Sequence, residues 1–374
     1  MTNVVISGYY GFANAGDEAM LTAIIDSLRE TIPDVSITVI TGNCERTRSY
    51  HDVKTVHRFN LPGIYQALGT SQLLISGGGS LLQDVTSSRS IYYYLLIINM
   101  AQWRHVPVML YAQGIGPVIR PRARRAVQKV LQNVAMIGVR DSESKEELER
   151  LGVTAPPIHV TADAVLSMHR VDKKIGYYLL KKHGIDGIGL RIGIAIRNWQ
   201  SMTHYKEEIA KAADQLSEKF DSRIIFIPMQ YPQDAEAGKD VAAMMKHRAV
   251  VLDEAYSTVE FMSLMGCMDA VIANRLHALI FASIMEVPVT SISYDPKIDS
   301  FIHLIGDTLA GTMETVTAEA LIEDVCQKLE RHGLTPEVKL RLNHLRRQSM
   351  RNAYLALRAI TGKKKLKEFI ENRS

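Results

Sequence analysis

Arg275, His277 and Lys297 stand among apolar runs in "ANRLHALIFASIMEVPVTSISYDPKI", residues 273–298. A guanidinium grips a carboxylate or phosphate through paired N–H groups. An imidazole titrates near neutral pH and can move a proton, and an ammonium adds a point of positive charge. "DAVIAN" reads as a strand, "RLHALIFASIM" as a helix and "VPVTSIS" as the next strand. Arg275 and His277 therefore fall at a strand-to-helix junction, and Lys297 just past the end of the following strand. "IGVRDSES" has the same layout, with a strand ending at Val139, Arg140 at its carboxyl end and Ser142 as a candidate N-cap. Arg140 also has an ordinary reading as a surface group paired with Asp141 or Glu143, and a histidine at a helix start is often structural.

Three loops at strand ends add backbone donors. "GYYGFANAGDEA" places Gly8, Gly11 and Gly16 before a helix, with Asn14 able to donate to a ligand. Asp17 and Glu18 open that helix, where they complement its dipole or hold hydroxyl groups. "SGGGSLLQD" at 76–84 supplies Gly78, Gly79 and Ser80. Packing alone accounts poorly for three successive glycines, so the expectation is close approach of a ligand or loop. "YAQGIGPV" at 111–118 brings Gln113 to the end of a strand, although Gly114, Gly116 and Pro117 also make a turn there.

Other chemistries lack their residues. The first loop is not GxGxxG and has no Walker lysine. No G-x-S-x-G elbow occurs. His277 has no second ligand at metal spacing, and the expectation is that no metal or cofactor is needed. Two arginines, a lysine and a histidine around one pocket suit a small polyanion and an acid–base step. Phosphoenolpyruvate meets that description, and so does a nucleotide-sugar donor.

The elements that must position these groups alternate. Strand-like runs "NVVIS", "VSITVIT", "LLIS", "VPVMLYA" and "AMIGVR" are separated by amphipathic stretches such as "RARRAVQKVLQNV". A second series follows, with "RIGIAI", "SRIIFIP", "AVVL", "DAVIAN" and "VPVTSIS". Strand–helix alternation predicts an α/β fold of parallel sheets. The expected organisation is an N-terminal Rossmann-like domain over 1–168, a polar linker at 169–190 and a C-terminal Rossmann-like domain over 191–334. A helix with a basic tail would fill 335–374. The default binding site is a cleft at the carboxyl ends of both sets of strands.

At 374 residues, 47% of them hydrophobic, the chain can bury two cores. Three scattered cysteines argue against a disulfide framework and fit a reducing cytoplasm. The N-terminus enters a strand directly, without a secretory signal pattern. "SIYYYLLIINMAQW" is too short to span a bilayer. Net charge is +4, but residues 337–374 hold eleven Lys or Arg against three Glu, with "KKKLK" at 363–367. Such a tail is either a solvated helix or a contact with the anionic inner face of a membrane. Nucleic acid is not expected as a partner, since the tail has few aromatics and no recognisable motif.

Taken together, "GYYGFANAGDEA", "SGGGSLLQD", "QGIGP", "VRDSES" and "NRLHALIFASIMEVPV…YDPK" resemble the polysaccharide pyruvyl transferases, nearest to the CsaB-type enzymes of bacterial secondary cell-wall polymers. The similarity runs in order from residue 3 to about 300. It implies a GT-B-like fold, in which the last helix often packs on the first domain. It also implies transfer of pyruvate from phosphoenolpyruvate to O4 and O6 of N-acetylmannosamine in a lipid-linked disaccharide, with a polymer that anchors S-layer proteins. By motif match, Arg140, Arg275 and His277 would be anion-binding and catalytic, with Lys297 beside them. Asn14, Asp17, Gly78, Gly79, Ser80 and Gln113 would hold the acceptor. A nucleotide-sugar glycosyltransferase, with "PMQYPQ" at 228–233 holding a base, and a non-catalytic membrane or glycan binder are the alternatives.

Overall fold

In the computed structural model the chain forms two compact units. The first comprises Met1–Phe12, Asp17–Met168 and the chain from Leu345 onward, and the second Ala13–Gly16 and His169–His344. The structure describes residues 2–85, 87–187 and 189–371, and for 363–371 the backbone alone. The lysine cluster at 363–367, where the sequence reading places a membrane contact, lies outside the described side chains.

The first unit opens with β1 (Thr2–Ser7), α1 (Ala15–Thr31), β2 (Val35–Thr41), α2 (Cys44–His51), β3 (Lys54–His57) and α3 (Leu61–Gly69). There follow β4 (Leu73–Ser76), β5 (Gly79–Leu82), α4 (Ser90–Trp103), β6 (Val108–Ile115) and α5 (Pro121–Leu131). The unit's sheet ends with β7 (Met136–Val139), α6 (Ser142–Arg150) and β8 (Ile158–Val160). Strand order is β3-β2-β1-β4-β6-β7-β8, with β5 on β6 and every pair parallel. "LLIS" and "MIGV" are buried at every position, as strands covered by helices on both faces must be.

The second unit holds α7 (Lys174–Lys182), β9 (Arg191–Ala195), α8 (His204–Phe220), β10 (Arg223–Phe226), α9 (Gln233–Met244) and β11 (Val250–Val251). Next come α10 (Thr258–Gly266), β12 (Ala270–Ala273), α11 (Leu276–Ile284), β13 (Val289–Ser293) and α12 (Pro296–Ile305). β14 (Leu309–Thr312), α13 (Ala318–Glu330) and α14 (Pro336–Glu371) complete the chain, α14 being broken at Gly362 (φ 69°). Its sheet runs β11-β10-β9-β12-β13-β14, again parallel. This is the doubly wound order, which reverses direction between β9 and β12 and opens a crevice at their carboxyl ends.

The stretch read as a polar linker carries α7. Leu179 and Leu180 are buried there, and Gly176 N–H donates to Ser263 Oγ of α10 at 2.6 Å. At the far end, α14 joins the first unit: Asn352 Nδ2 donates to Thr161 Oγ1 (3.0 Å), and Ser349 Oγ to the Asp163 carbonyl (2.8 Å).

Burial, aided by Arg29, pushes the His51 imidazole down from 6.5 to about 4. The unfolded chain takes up this proton near 6.5, the folded one only near 4. The contribution to stability is therefore complete above 6.5 and is lost as the pH falls toward 4. His51→Gln should flatten that acid limb by ~2 kcal/mol, allowing for solvent screening, as read by urea unfolding at about pH 7 and about pH 4.5.

Candidate functional site

The second unit gathers its polar groups around the strand reversal. Arg275 follows β12 and is the N-cap residue of α11, with extended backbone (φ −103°, ψ 115°). Its guanidinium is clamped by Asp234 from the first turn of α9: Nε donates to Oδ2 at 2.8 Å and Nη2 to Oδ1. Nη2 also reaches Gln230 Oε1 at 3.4 Å. The carboxylate is 2% exposed and accepts the Gln230 N–H besides. Burial raises the Asp234 carboxyl above its ordinary value, against the pull of Arg275. A salt bridge so buried holds an arginine in one orientation and leaves its remaining N–H groups for a ligand.

His277 lies in the first turn of α11, half-buried. The turn 13–16 is docked beside it: Ala15 N–H donates to the Met229 carbonyl at 3.0 Å, and Asn14 bridges Gln230. Asn14 Oδ1 accepts the Gly16 N–H (3.0 Å), which lays the Gly16 α-carbon against the imidazole. A β-carbon on Gly16 would collide with His277 Nδ1. Gly16→Ala should therefore displace the imidazole. It should cut turnover at least tenfold while costing only ~1–3 kcal/mol in a melting experiment.

Asn274, wholly buried, accepts the Arg197 N–H on Oδ1 at 3.0 Å, and its Nδ2 has no acceptor among the described residues. Arg197 follows β9, across the reversal, and its guanidinium lies 5.1 Å from the Trp199 ring centroid. Its Nη1 also donates to Tyr294 Oη at 3.3 Å. An uncompensated buried donor between two arginines suits an anion. Lys297 sits in the first turn of α12, whose N-cap is Asp295, and its ammonium pairs with Asp295 at 3.0 Å. Trp199, Tyr294, Asp295, Asp299 and Glu314 line a recess of about 290 Å³ at this edge.

In the first unit Arg140 follows β7 and is mostly buried. Nε donates to Asp141 Oδ2 (3.1 Å), Nη2 to Ser80 Oγ (3.3 Å), and Nη1 lies 3.9 Å from Asp163. Asp141, rather than Ser142, is the N-cap of α6, since its Oδ1 accepts the Ser144 N–H. The local ion pair weighed for Arg140 thus exists, with a second carboxylate behind it. Gln113 is fully buried and straps β4 to β6, donating Nε2 to Ser76 Oγ (3.2 Å) and the Gly77 carbonyl (3.1 Å).

At the glycine triplet it is the neighbouring loop after β1, through Tyr10, together with Met20 of α1, that comes close. A β-carbon on Gly77 would strike the Tyr10 hydroxyl, and one on Gly78 would lie 2.8 Å from Met20 Sδ. Gly79 has φ +93° and opens β5. Packing against Tyr10 and Met20 therefore accounts for Gly77 and Gly78, and Ser80 is the exposed member of the loop. Asp17, whose Oδ1 lies 3.4 Å from a β-carbon on Gly79, stays in the first unit, whereas Asn14 joins the second. Glu18 Oε1 accepts the Gly11 N–H at 2.8 Å and closes the loop on itself.

Sequence reasoning singled out Arg275 and His277 from their junction, and it did not single out Asp234, Asn274 and Arg197, which the structure sets around the strand reversal with Arg275. Only Arg197, two residues past the "RIGIA" strand, carried a comparable signal.

Two parallel sheets of doubly wound type mark an α/β fold shared with sugar-nucleotide epimerases and GT-B glycosyltransferases. The UDP-GlcNAc 2-epimerase from Methanocaldococcus jannaschii matches with a TM-score of 0.66 at 13% identity, over 95% of this chain and 99% of that one. The S. aureus MnaA–UDP structure matches at 0.62 and 13%, over 96% and 94%. E. coli ADP-heptose LPS heptosyltransferase II matches at 0.55 and 13%, over 88% and 99%. No curated protein sequence matches the chain. The polysaccharide pyruvyl transferase family model matches residues 14–296, from the docked turn through the start of α12, and the chain belongs to that family.

Proposed function

We propose that this transferase moves the pyruvyl group of phosphoenolpyruvate onto O4 and O6 of an N-acetylmannosamine residue in a lipid-linked cell-wall polymer precursor. The products are a cyclic ketal and phosphate. The observation that carries the reading is Arg275, fixed by Asp234 next to His277, with Arg197 and the buried Asn274 amide across the strand reversal. In this reading Arg275, Arg197 and the free N–H groups at the start of α11 hold the donor's phosphate and carboxylate. His277 delivers a proton to C3, which makes C2 electrophilic. One sugar hydroxyl bonds to C2, the C2–O bond to phosphate breaks, and the second hydroxyl closes the ketal. Of the two hydroxyl protons, one balances that gained by C3 and the other leaves with phosphate.

Lys297 and Arg140 are assigned to substrate charge. Each must exchange or share a carboxylate partner to do so. Ser80 and Asp17 remain the acceptor candidates of the first unit, whereas Gly78 and Gln113 act by packing and strapping. The reaction as written needs no metal or organic cofactor. The acceptor and S-layer role rest on the sequence resemblance to CsaB-type enzymes. With them goes a cytoplasmic enzyme working peripherally at the inner membrane face. Among the described residues no helix is long and apolar enough to cross a membrane.

The fold neighbours and the Trp199–Tyr294 recess favour one second reading, a nucleotide-sugar transferase whose base stacks in that recess. The "PMQYPQ" stretch suits a base less well, because Gln230 is engaged with Asn14, Asp234 and Arg275. Incubation with acceptor and either phosphoenolpyruvate or UDP-sugars separates the two. Phosphate release with the first supports pyruvyl transfer, and UDP release with the second supports the alternative.

A further inference from the structure

The surface of the first unit over α3, α4 and α5 is unlike the rest of the chain. From residue 53 to residue 140 the sequence has ten Lys or Arg and one acid, Asp84. That acid is 2% exposed and spends its carboxylate on the backbone N–H groups of Ile119 and Arg120. α3 and α4 contain no charged residue on either face. Trp103 is nevertheless 63% exposed and Phe59 72%, with Leu61, Tyr65 and Tyr92 also open to solvent. Tyr92 and Trp103 are eleven residues apart, close to three helical turns, and so share one stripe of α4.

The three helices lie side by side. Arg58, before α3, sits 4.7 Å from the Tyr93 ring of α4, and Tyr93 Oη donates to the Arg58 carbonyl at 3.0 Å. At the other end Arg104 lies 4.9 Å from the Tyr65 ring, and Gln102 Nε2 donates to the Val130 carbonyl beyond it at 2.9 Å. On α5, Arg122, Arg125 and Lys129 are exposed and make no ion pair with any described residue. An apolar, aromatic strip beside unpaired cations, with no acid on α3, α4 or α5 themselves, is costly to leave in water. Tyr and Trp favour the headgroup level of a bilayer, and unpaired Arg and Lys favour anionic lipid.

We infer that the α3–α4–α5 face docks the protein on an anionic bilayer, with Trp103, Tyr92 and Phe59 at headgroup depth and α5 on the lipid phosphates. The choice of a membrane over self-association follows from the charge: a second copy meeting this face with its own α3–α4–α5 face would bring like charge against α5. The residues of this face are not those of the C-terminal lysine cluster, and the inference stands whether or not the pyruvyl reading does.

Sedimentation of the full-length chain with vesicles of phosphatidylcholine, with and without about a third phosphatidylglycerol, tests it. In a Trp199→Phe background, which leaves Trp103 as the sole tryptophan, Trp103 emission should shift to the blue on the anionic vesicles only. Tyr92→Ser/Trp103→Ser and Arg122→Glu/Arg125→Glu should each lower the pelleted fraction at least fivefold. With Trp199 intact, phosphate release by these two double variants toward a water-soluble acceptor should not change. Full pelleting of both variants would overturn the proposal in favour of the tail. A blue shift that follows protein concentration without vesicles would overturn it in favour of self-association.

Discussion

His277→Ala is expected to reduce phosphate release from phosphoenolpyruvate by 10²–10⁴-fold, the usual contribution of a positioned general acid or base. The loss should fall on kcat. Arg275 keeps its bonds to Asp234, and Asn274 its bond from the Arg197 N–H, without the imidazole, so the KM for phosphoenolpyruvate should move less than about fivefold. The fold should survive, because His277 is half-buried at a helix start and its removal leaves a shallow gap over Gly16. His277→Gln, which fills the same space without a titrating group, should be equally slow. A steady-state series on the three proteins, with melting temperatures alongside, separates loss of chemistry from loss of structure. Near-normal kcat in His277→Ala would remove the histidine from the mechanism.

Asp234→Asn should produce the complementary defect. The carboxylate is the only charge holding Arg275 among the described residues, and an amide can offer that guanidinium one acceptor oxygen instead of two. A loosened arginine binds an anion poorly, so KM should rise ten- to a hundredfold while kcat falls less. Losing half of a buried pair also costs about 3 kcal/mol of stability. Arg275→Ala leaves the opposite orphan, a buried carboxylate that burial already raises. With the guanidinium gone, the folded state prefers the protonated acid. Stability of that variant should then decline as pH rises through the window above the ordinary Asp value, and the double variant with Asp234→Asn should lose this slope. Urea titrations at several pH values, read with the KM series, test both halves.

Most of the scaffold was legible because buried parallel strands must be apolar runs. "NVVIS", "LLIS", "RIGIAI" and "DAVIAN" announced β1, β4, β9 and β12 through that constraint. The strands that escaped, β3 "KTVH", β8 "IHV" and β14 "LAGT", are half-exposed edges whose composition is no different from a loop's. β5 hid inside the glycine triplet, whose sequence left open whether a ligand or a loop comes close, and the space beside it is taken by Tyr10 of the neighbouring loop and by Met20. Single-residue signals at the site were local. Arg275 and His277 could be placed by their junction, but the carboxylate that orients Arg275 comes from 41 residues upstream. No spacing in the sequence pairs those two positions. The same limit hid the docking of Asn14 on Gln230, where a turn from the start of the chain completes the wall around His277.

The central claim is that the cation cluster around Arg275 and His277 serves pyruvyl transfer. Incubating the purified chain with phosphoenolpyruvate and a lipid-linked disaccharide that ends in N-acetylmannosamine tests it most directly, with phosphate and the acceptor followed together. Equimolar phosphate and ketal-bearing acceptor are expected, both lost in His277→Ala. An acceptor that stays unmodified while the same preparation consumes a UDP-sugar would contradict the claim.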